Sequence, residues 1–119
     1  MSNFRSLLIW QKSMALTTKI YFSTNNFPKE EIFGLTSQIR RSSISIPSNI
    51  AEGFGRESDK DLLRFLNISV GSLFEMQTQL EIGKNISYLK EQDFNNLYED
   101  SREVERMLVS FIKKVKDRS

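Results

Sequence analysis

The chain has 119 residues and a formal net charge of +2 at neutral pH, so we expect one domain, residues 1–119, with a mildly basic surface. It contains no cysteine and no histidine, which excludes thiolate and imidazole metal sites, cysteine nucleophiles and histidine-based catalytic triads. The absence of cysteine is also typical of a cytoplasmic protein.

The first predicted helix covers residues 5–25 and carries apolar residues on two opposite sides. We assign one side of this helix to the core because its residues recur at helical spacing: Leu7, Trp10, Met14, Thr18 and Tyr21. The opposite side holds Ile9, Leu16 and Ile20. Because a helix that is apolar on two sides is usually packed between neighbours, we predict that this second side contacts another subunit.

The second predicted helix, residues 29–53, contains a proline within its apolar pattern. Pro47 lacks the N–H that would bond to the carbonyl of Ser43, so the helix either bends there or ends at Ile46 and restarts. A continuous, bent helix is favoured because the core positions stay in phase: Leu35, Ile39, Ser42, Ile46, Asn49, Ile50 and Gly53. Nearby serine hydroxyls are expected to satisfy the loosened carbonyls. Ile44 lies nearly opposite this stripe and is predicted to join the subunit interface.

The third and fourth predicted helices show clear apolar stripes. The third begins after Ser58, which forms a capping arrangement with Asp61. Its core positions are Leu62, Leu66, Ser69, Leu73, Met76, Leu80 and Gly83. Those of the fourth are Phe94, Leu97, Ser101, Val104, Leu108, Ile112 and Val115. Four helices with short connections predict an all-α fold, an antiparallel up-down-up-down four-helix bundle.

A basic surface is predicted around the turn between the second and third helices. Arg56 and Lys60 flank the turn, and Arg64 follows Lys60 by four residues. Arg40 is further away and is the fourth candidate for contact with nucleic-acid phosphates. No aromatic residue is expected on the same strip, so base stacking is not predicted.

A polar network is predicted from Arg41, Glu52 and Glu75. Arg41 and Glu52 share a helix face, and an antiparallel hairpin brings Arg41 roughly level with Glu75. We expect these three side chains to form a partly buried charge cluster. A catalytic or metal-binding role for the two glutamates is disfavoured because the chain has no histidine and no Gly-rich phosphate loop.

Four segments together carry a family resemblance. They are WQKS at 10–13, FP at 27–28, GLTSQIRRSSISIPSNIAEGFGR at 34–56 and RFLNISVGSLFEMQTQL at 64–80. This pattern resembles the four-helix-bundle family named for 23S rRNA intervening sequences. The resemblance implies a bacterial homopentamer without catalytic residues or cofactors. It also implies kinship with the accessory protein of diversity-generating retroelements, which partners a reverse transcriptase and binds nucleic acid.

Two functions are open at this point. The first is a non-enzymatic, oligomeric scaffold that binds RNA, DNA or a reverse transcriptase. The alternative is a purely structural oligomer that binds another protein and no nucleic acid. A membrane role is not expected, because the apolar run at 7–10 is too short to cross a bilayer.

Overall fold

Four α-helices form the whole architecture of the computed structural model, which describes residues 3–119. They are α1 (Leu8–Thr24), α2 (Leu35–Phe54), α3 (Asp59–Asn85) and α4 (Glu91–Arg118). Each helix packs against the next, and α4 returns to α1, which closes the bundle. The molecule measures 45 × 23 × 21 Å. The predicted all-α, antiparallel four-helix bundle is confirmed.

The apolar stripe of α1 that enters the core is the opposite of the predicted one. Ile9, Leu16 and Ile20 are buried within the subunit, so their prediction as interface residues is wrong. Ser13 and Thr24 complete this stripe, and their hydroxyls donate to backbone carbonyls one turn earlier. Because both hydroxyls are hydrogen-bonded, burying them costs little free energy. The side predicted as core is instead outward, with Leu7, Trp10 and Tyr21 half-buried and Met14 and Thr18 exposed.

Helix α2 begins later than predicted and runs unbroken through Pro47. Residues Lys29–Glu31 form a separate 3₁₀ turn. The Glu31 carboxylate accepts the backbone N–H of Leu35 at 3.0 Å, which satisfies a free donor at the start of α2. The predicted continuity through the proline is confirmed, and Ile44 is exposed, as expected.

The carbonyl group that Pro47 leaves without a backbone donor is satisfied from another helix. The Thr17 hydroxyl of α1 lies 2.9 Å from the carbonyl oxygens of both Ser43 and Ser13. The Ser13 carbonyl is placed to accept a backbone N–H within α1, whereas that of Ser43 has lost its donor to the proline ring. The single hydroxyl hydrogen is therefore needed at Ser43. The expected donor was a nearby serine, and the structure uses a threonine from α1.

Replacing Thr17 with valine should lower the free energy of unfolding by about 1–3 kcal/mol, because the partly buried Ser43 carbonyl then has no donor. The cost should shrink when Pro47→Ala supplies the missing N–H, giving a coupling energy of about 0.5–3 kcal/mol. Urea unfolding of the two single variants and the double variant measures this coupling. Equal costs of Thr17→Val in both backgrounds would show that Thr17 does not serve this carbonyl.

Small hydroxyl residues hold α2 close to α3. Ser42 donates to the Gln79 side-chain oxygen at 2.6 Å, and Ser69 donates to the Ile46 carbonyl at 2.9 Å. These side chains are short and make their hydrogen bonds across the contact, so polar groups are buried here without remaining unpaired. The predicted core stripes of α3 and α4 are both confirmed.

Candidate nucleic-acid interface

The turn between α2 and α3 places three basic residues on one outer edge of the bundle. Helix α2 ends at Phe54, and α3 begins after Ser58, whose hydroxyl accepts the N–H of Asp61 at 3.1 Å, as predicted. Arg56, Lys60 and Arg64 are all exposed. We call these three residues the α2–α3 basic surface.

Two arginines of this surface share one aromatic ring. The guanidinium carbon of Arg56 lies 4.8 Å from the centre of the Phe65 ring, and that of Arg64 lies 4.5 Å from it. Cation–π contacts of this kind hold guanidinium groups in place at an exposed site. The ring therefore brings two like charges together. Phe65 therefore orients both arginines.

The three cations of this surface stand among acidic side chains: Glu57 and Asp61 are also exposed, and Asp61 lines one groove with Lys60 and Arg64. Arg56 also pairs with Glu52 at 2.9 Å, which offsets part of its charge. Within residues 3–119, no carboxylate forms an ion pair with Lys60 or Arg64. These two cations, together with Arg56, can therefore meet an anionic ligand such as a phosphate group.

The end of α4 lies beside this surface. Arg118 donates two hydrogen bonds to Asp59, at 3.1 and 3.0 Å, and Ser119 donates a third at 3.0 Å. The hydrogen bonds from Arg118, and then from Ser119, lower the pKa of the Asp59 carboxyl below its ordinary value. Asp59 is therefore engaged by α4 and does not pair with Lys60 or Arg64. The contact also brings the exposed lysines of the last α4 turns to this end of the bundle: Lys113, Lys114 and Lys116.

Arg40, the fourth residue predicted to contact nucleic acid, instead forms hydrogen bonds within the subunit. Its guanidinium donates to the Thr24 hydroxyl at 2.9 Å, to the Tyr21 carbonyl at 3.3 Å and to the Asn25 side chain at 3.1 Å. It also lies over the Tyr21 ring, 4.7 Å from its centre. Arg40 thus holds the end of α1 against α2, away from the α2–α3 basic surface, and we remove it from the candidate site.

The predicted charge cluster of Arg41, Glu52 and Glu75 does not form. All three side chains are exposed, and Glu52 pairs with Arg56 instead. Arg41 and Glu75 do line one polar groove between α2 and α3, but no ion pair joins them among the described residues. The prediction was wrong because Arg41 and Glu75 lie on the outer sides of their helices, where water solvates both charges.

An apolar groove lies on the outer side of α1 and α2. Its lining residues are Trp10, Met14, Thr17, Ile44, Pro47, Ser48 and Ala51. We call it the α1–α2 groove. It contains one of the predicted interface residues, Ile44, and none of the other three, since Ile9, Leu16 and Ile20 belong to the core.

Phe65 is the site residue that the sequence reasoning missed. Phe65 follows Arg64 directly in the sequence and comes nine residues after Arg56. This separation does not indicate a contact with Arg56, because the contact forms only when α2 and α3 pack together at their turn. Among the described residues, no group of three or more acidic side chains is placed to hold a metal ion. No helix in residues 3–119 is both long enough and apolar enough to span a membrane.

Comparisons with known proteins extend over most of the chain. A family model described as 23S rRNA-intervening sequence protein matches residues 5–110. The chain also resembles a crystal structure described as a protein with unknown function from the S23 ribosomal protein family, from Bacteroides thetaiotaomicron VPI-5482. The TM-score is 0.81 with 28% sequence identity, and the match covers 89% of this chain and 99% of that one. No curated protein matches the chain.

Proposed function

Because this chain belongs to the family of 23S rRNA-intervening sequence proteins, we propose that it is a non-enzymatic, oligomeric scaffold that binds structured RNA through the α2–α3 basic surface. The surface offers three cations and one aromatic ring that positions two of them. Contacts of this kind recognise phosphate groups and carry no base readout.

The observation that carries the proposal is the pair of arginines on Phe65. Two guanidinium groups of the same charge repel each other, and the Glu52 carboxylate offsets only that of Arg56, so an anion bound beside Arg64 would lower the cost of holding both at one ring. Of the three cations of the α2–α3 basic surface, only Arg56 forms an ion pair with a carboxylate among residues 3–119. A phosphate backbone would supply the missing negative charge to Arg64 and Lys60.

Assembly is part of the proposal because one subunit has few cations. A ring, with five copies as the family resemblance implies, repeats the basic surface and converts weak single contacts into multivalent binding. The exposed apolar side chains support assembly, since surface of this kind commonly marks an interface. They include Met14, Phe22, Ile32, Phe33 and Ile44.

The triple variant Arg56→Glu, Lys60→Glu, Arg64→Glu should bind a fluorescein-labelled RNA hairpin more than about tenfold more weakly at low salt. The slope of log affinity against log salt should become shallower by about 2–3, since each cation neutralises one phosphate. Glu52→Gln should strengthen binding, because it removes the carboxylate that offsets Arg56. Titrations at about 50 and about 200 mM salt measure both effects.

A charge-matched control separates a specific surface from net charge. The variant Lys29→Glu, Lys90→Glu, Arg41→Glu changes the same number of exposed cations away from the α2–α3 basic surface. It should bind the hairpin more tightly than the first triple variant at equal oligomer mass. Equal losses in the two triple variants would refute this surface as the site.

A protein partner is the second candidate function. Ile68 and Ile82 of α3, and Ile86 directly after its last residue, lie on one side with between 41 and 48% of their surface exposed. Such a row suits the apolar face of another protein, for example the reverse transcriptase that the family resemblance implies. If the native oligomer binds neither the RNA hairpin nor the equivalent DNA hairpin at low salt, the protein-binding function replaces RNA binding.

A further inference from the structure

An exposed aromatic residue stands on the segment that joins α1 to α2. Phe33 is 94% exposed and its neighbour Ile32 is 58% exposed. Full exposure of a phenyl ring leaves its whole apolar surface in water, which is unfavourable unless something covers it. We call these two residues the α1–α2 knob.

The knob stands on a segment that the fold holds in place. The N–H of Gly34 donates to the Glu31 carbonyl at 2.9 Å, which closes the turn around Ile32 and Phe33. The Glu31 carboxylate accepts the N–H of Leu35 at 3.0 Å and the Tyr88 hydroxyl at 2.9 Å. These two hydrogen bonds, the Leu35 bond first, lower the pKa of Glu31, so the anchor is ionised at neutral pH. An anchored knob loses little conformational entropy when it binds.

The α1–α2 groove has the size and the chemistry to receive this knob. It has a volume of about 360 Å³, and its lining contains no charged residue. A cavity of about 150 Å³ is already enough to hold a benzene ring. Four other surface grooves each include at least one charged side chain, so an uncharged phenyl ring suits them less well.

The knob cannot reach the groove of its own subunit. The groove runs along α2 from Ile44 to Ala51, whereas the knob precedes the first residue of α2, Leu35. At 1.5 Å per residue, these groove positions lie about 14 and about 24 Å along the helix from Leu35. Because Glu31 anchors the knob at the far end, only a second copy of the chain can bring the two surfaces together.

We propose that Phe33 of one subunit inserts into the α1–α2 groove of the next subunit. The inference rests on the assembly part of the proposed function and names its contact. The two surfaces are different, so the contact is head-to-tail and generates a closed ring when the rotation between subunits permits closure. Aromatic anchors that fill a pocket typically supply most of the binding energy of an interface.

The contact is tested with variants that each remove one half of it. Phe33→Asp removes the knob and keeps the groove, and Ile44→Asp removes the groove and keeps the knob. Each variant alone should be a monomer by light scattering at micromolar concentration, with an unchanged helical circular dichroism spectrum. A 1:1 mixture retains one good contact per pair and should form a heterodimer that does not grow further. Phe74→Asp, at a half-exposed position on α3, should keep the native mass.

The possible failures point to different conclusions. A Phe33→Asp variant with the native mass, or a mixture that stays monomeric, would overturn the knob-in-groove contact and leave the proposed assembly standing. A mixture that regains the native mass would overturn it as well, because a head-to-tail contact cannot propagate through the damaged halves. A native chain that is itself monomeric would reject both this contact and the assembly part of the proposed function.

Discussion

Replacing Leu73 with alanine should lower the free energy of unfolding by about 2–5 kcal/mol. Leu73 lies near the middle of α3, and its side chain is completely buried. Shortening it removes apolar contacts and leaves a cavity that helices on either side cannot fully close. Urea unfolding followed by circular dichroism measures the loss.

The same chemical change at an exposed position is the control. Leu8 keeps 56% of its surface in contact with water, so Leu8→Ala should change the free energy of unfolding by about 0.5 kcal/mol or less. Both variants should be compared at one protein concentration, because assembly adds a concentration-dependent term to the apparent stability. Similar losses at Leu73 and Leu8 would mean that the core face of α3 is assigned wrongly.

Replacing Gly53 with valine should lower the free energy of unfolding by about 1–3 kcal/mol. A Cβ atom built at Gly53 would lie 3.0 Å from Cβ of Phe65 and 3.1 Å from a methyl group of Leu62. Valine adds two further methyl groups to this crowded place, and the α2–α3 turn must open to admit them. Since Phe65 orients Arg56 and Arg64, the variant should also weaken RNA binding more than its stability loss alone explains.

A second helical glycine provides the opposite expectation. A Cβ atom at Gly71 would meet nothing within 4 Å, so Gly71→Ala should raise the free energy of unfolding by about 0.5–1 kcal/mol. The gain comes from the lower conformational entropy of alanine in the unfolded chain. Thermal unfolding measures the change in stability that each of the two glycine variants causes. A stabilised Gly53→Val variant would contradict the close approach of α2 and α3 at this residue.

The helices and most of the core could be predicted from the sequence because periodicity is a local property. In α3 and α4, one apolar stripe at helical spacing is clearly the strongest, and all of the assigned core residues are buried. The continuity of α2 through Pro47 was also predicted correctly, because the in-phase stripe of α2 requires the helix to continue.

Helix α1 shows where periodicity stops being informative. It has two apolar sides, and nothing in its own seventeen residues says which one faces the other helices. The aliphatic side with Leu16 and Ile20 fills the core, and the side with Trp10 and Tyr21 keeps its polar atoms near water. Predicting that α1 is apolar on both sides was correct, and the assignment of the sides was reversed.

The candidate site divides in the same way. The spacing of Arg56, Lys60 and Arg64 is enough to predict that they lie close to one turn, because residues four apart are neighbours on a helix and the connection between α2 and α3 is short. The packing of the helices was needed to see that Phe65 contacts the two arginines, that Arg40 binds the end of α1, and that Arg41 and Glu75 stay in water. These outcomes depend on distances between side chains of different helices, and helix rotation and axial position set those distances. Apolar periodicity shows which residues share one side of a helix. It does not show how that helix is rotated relative to the next one.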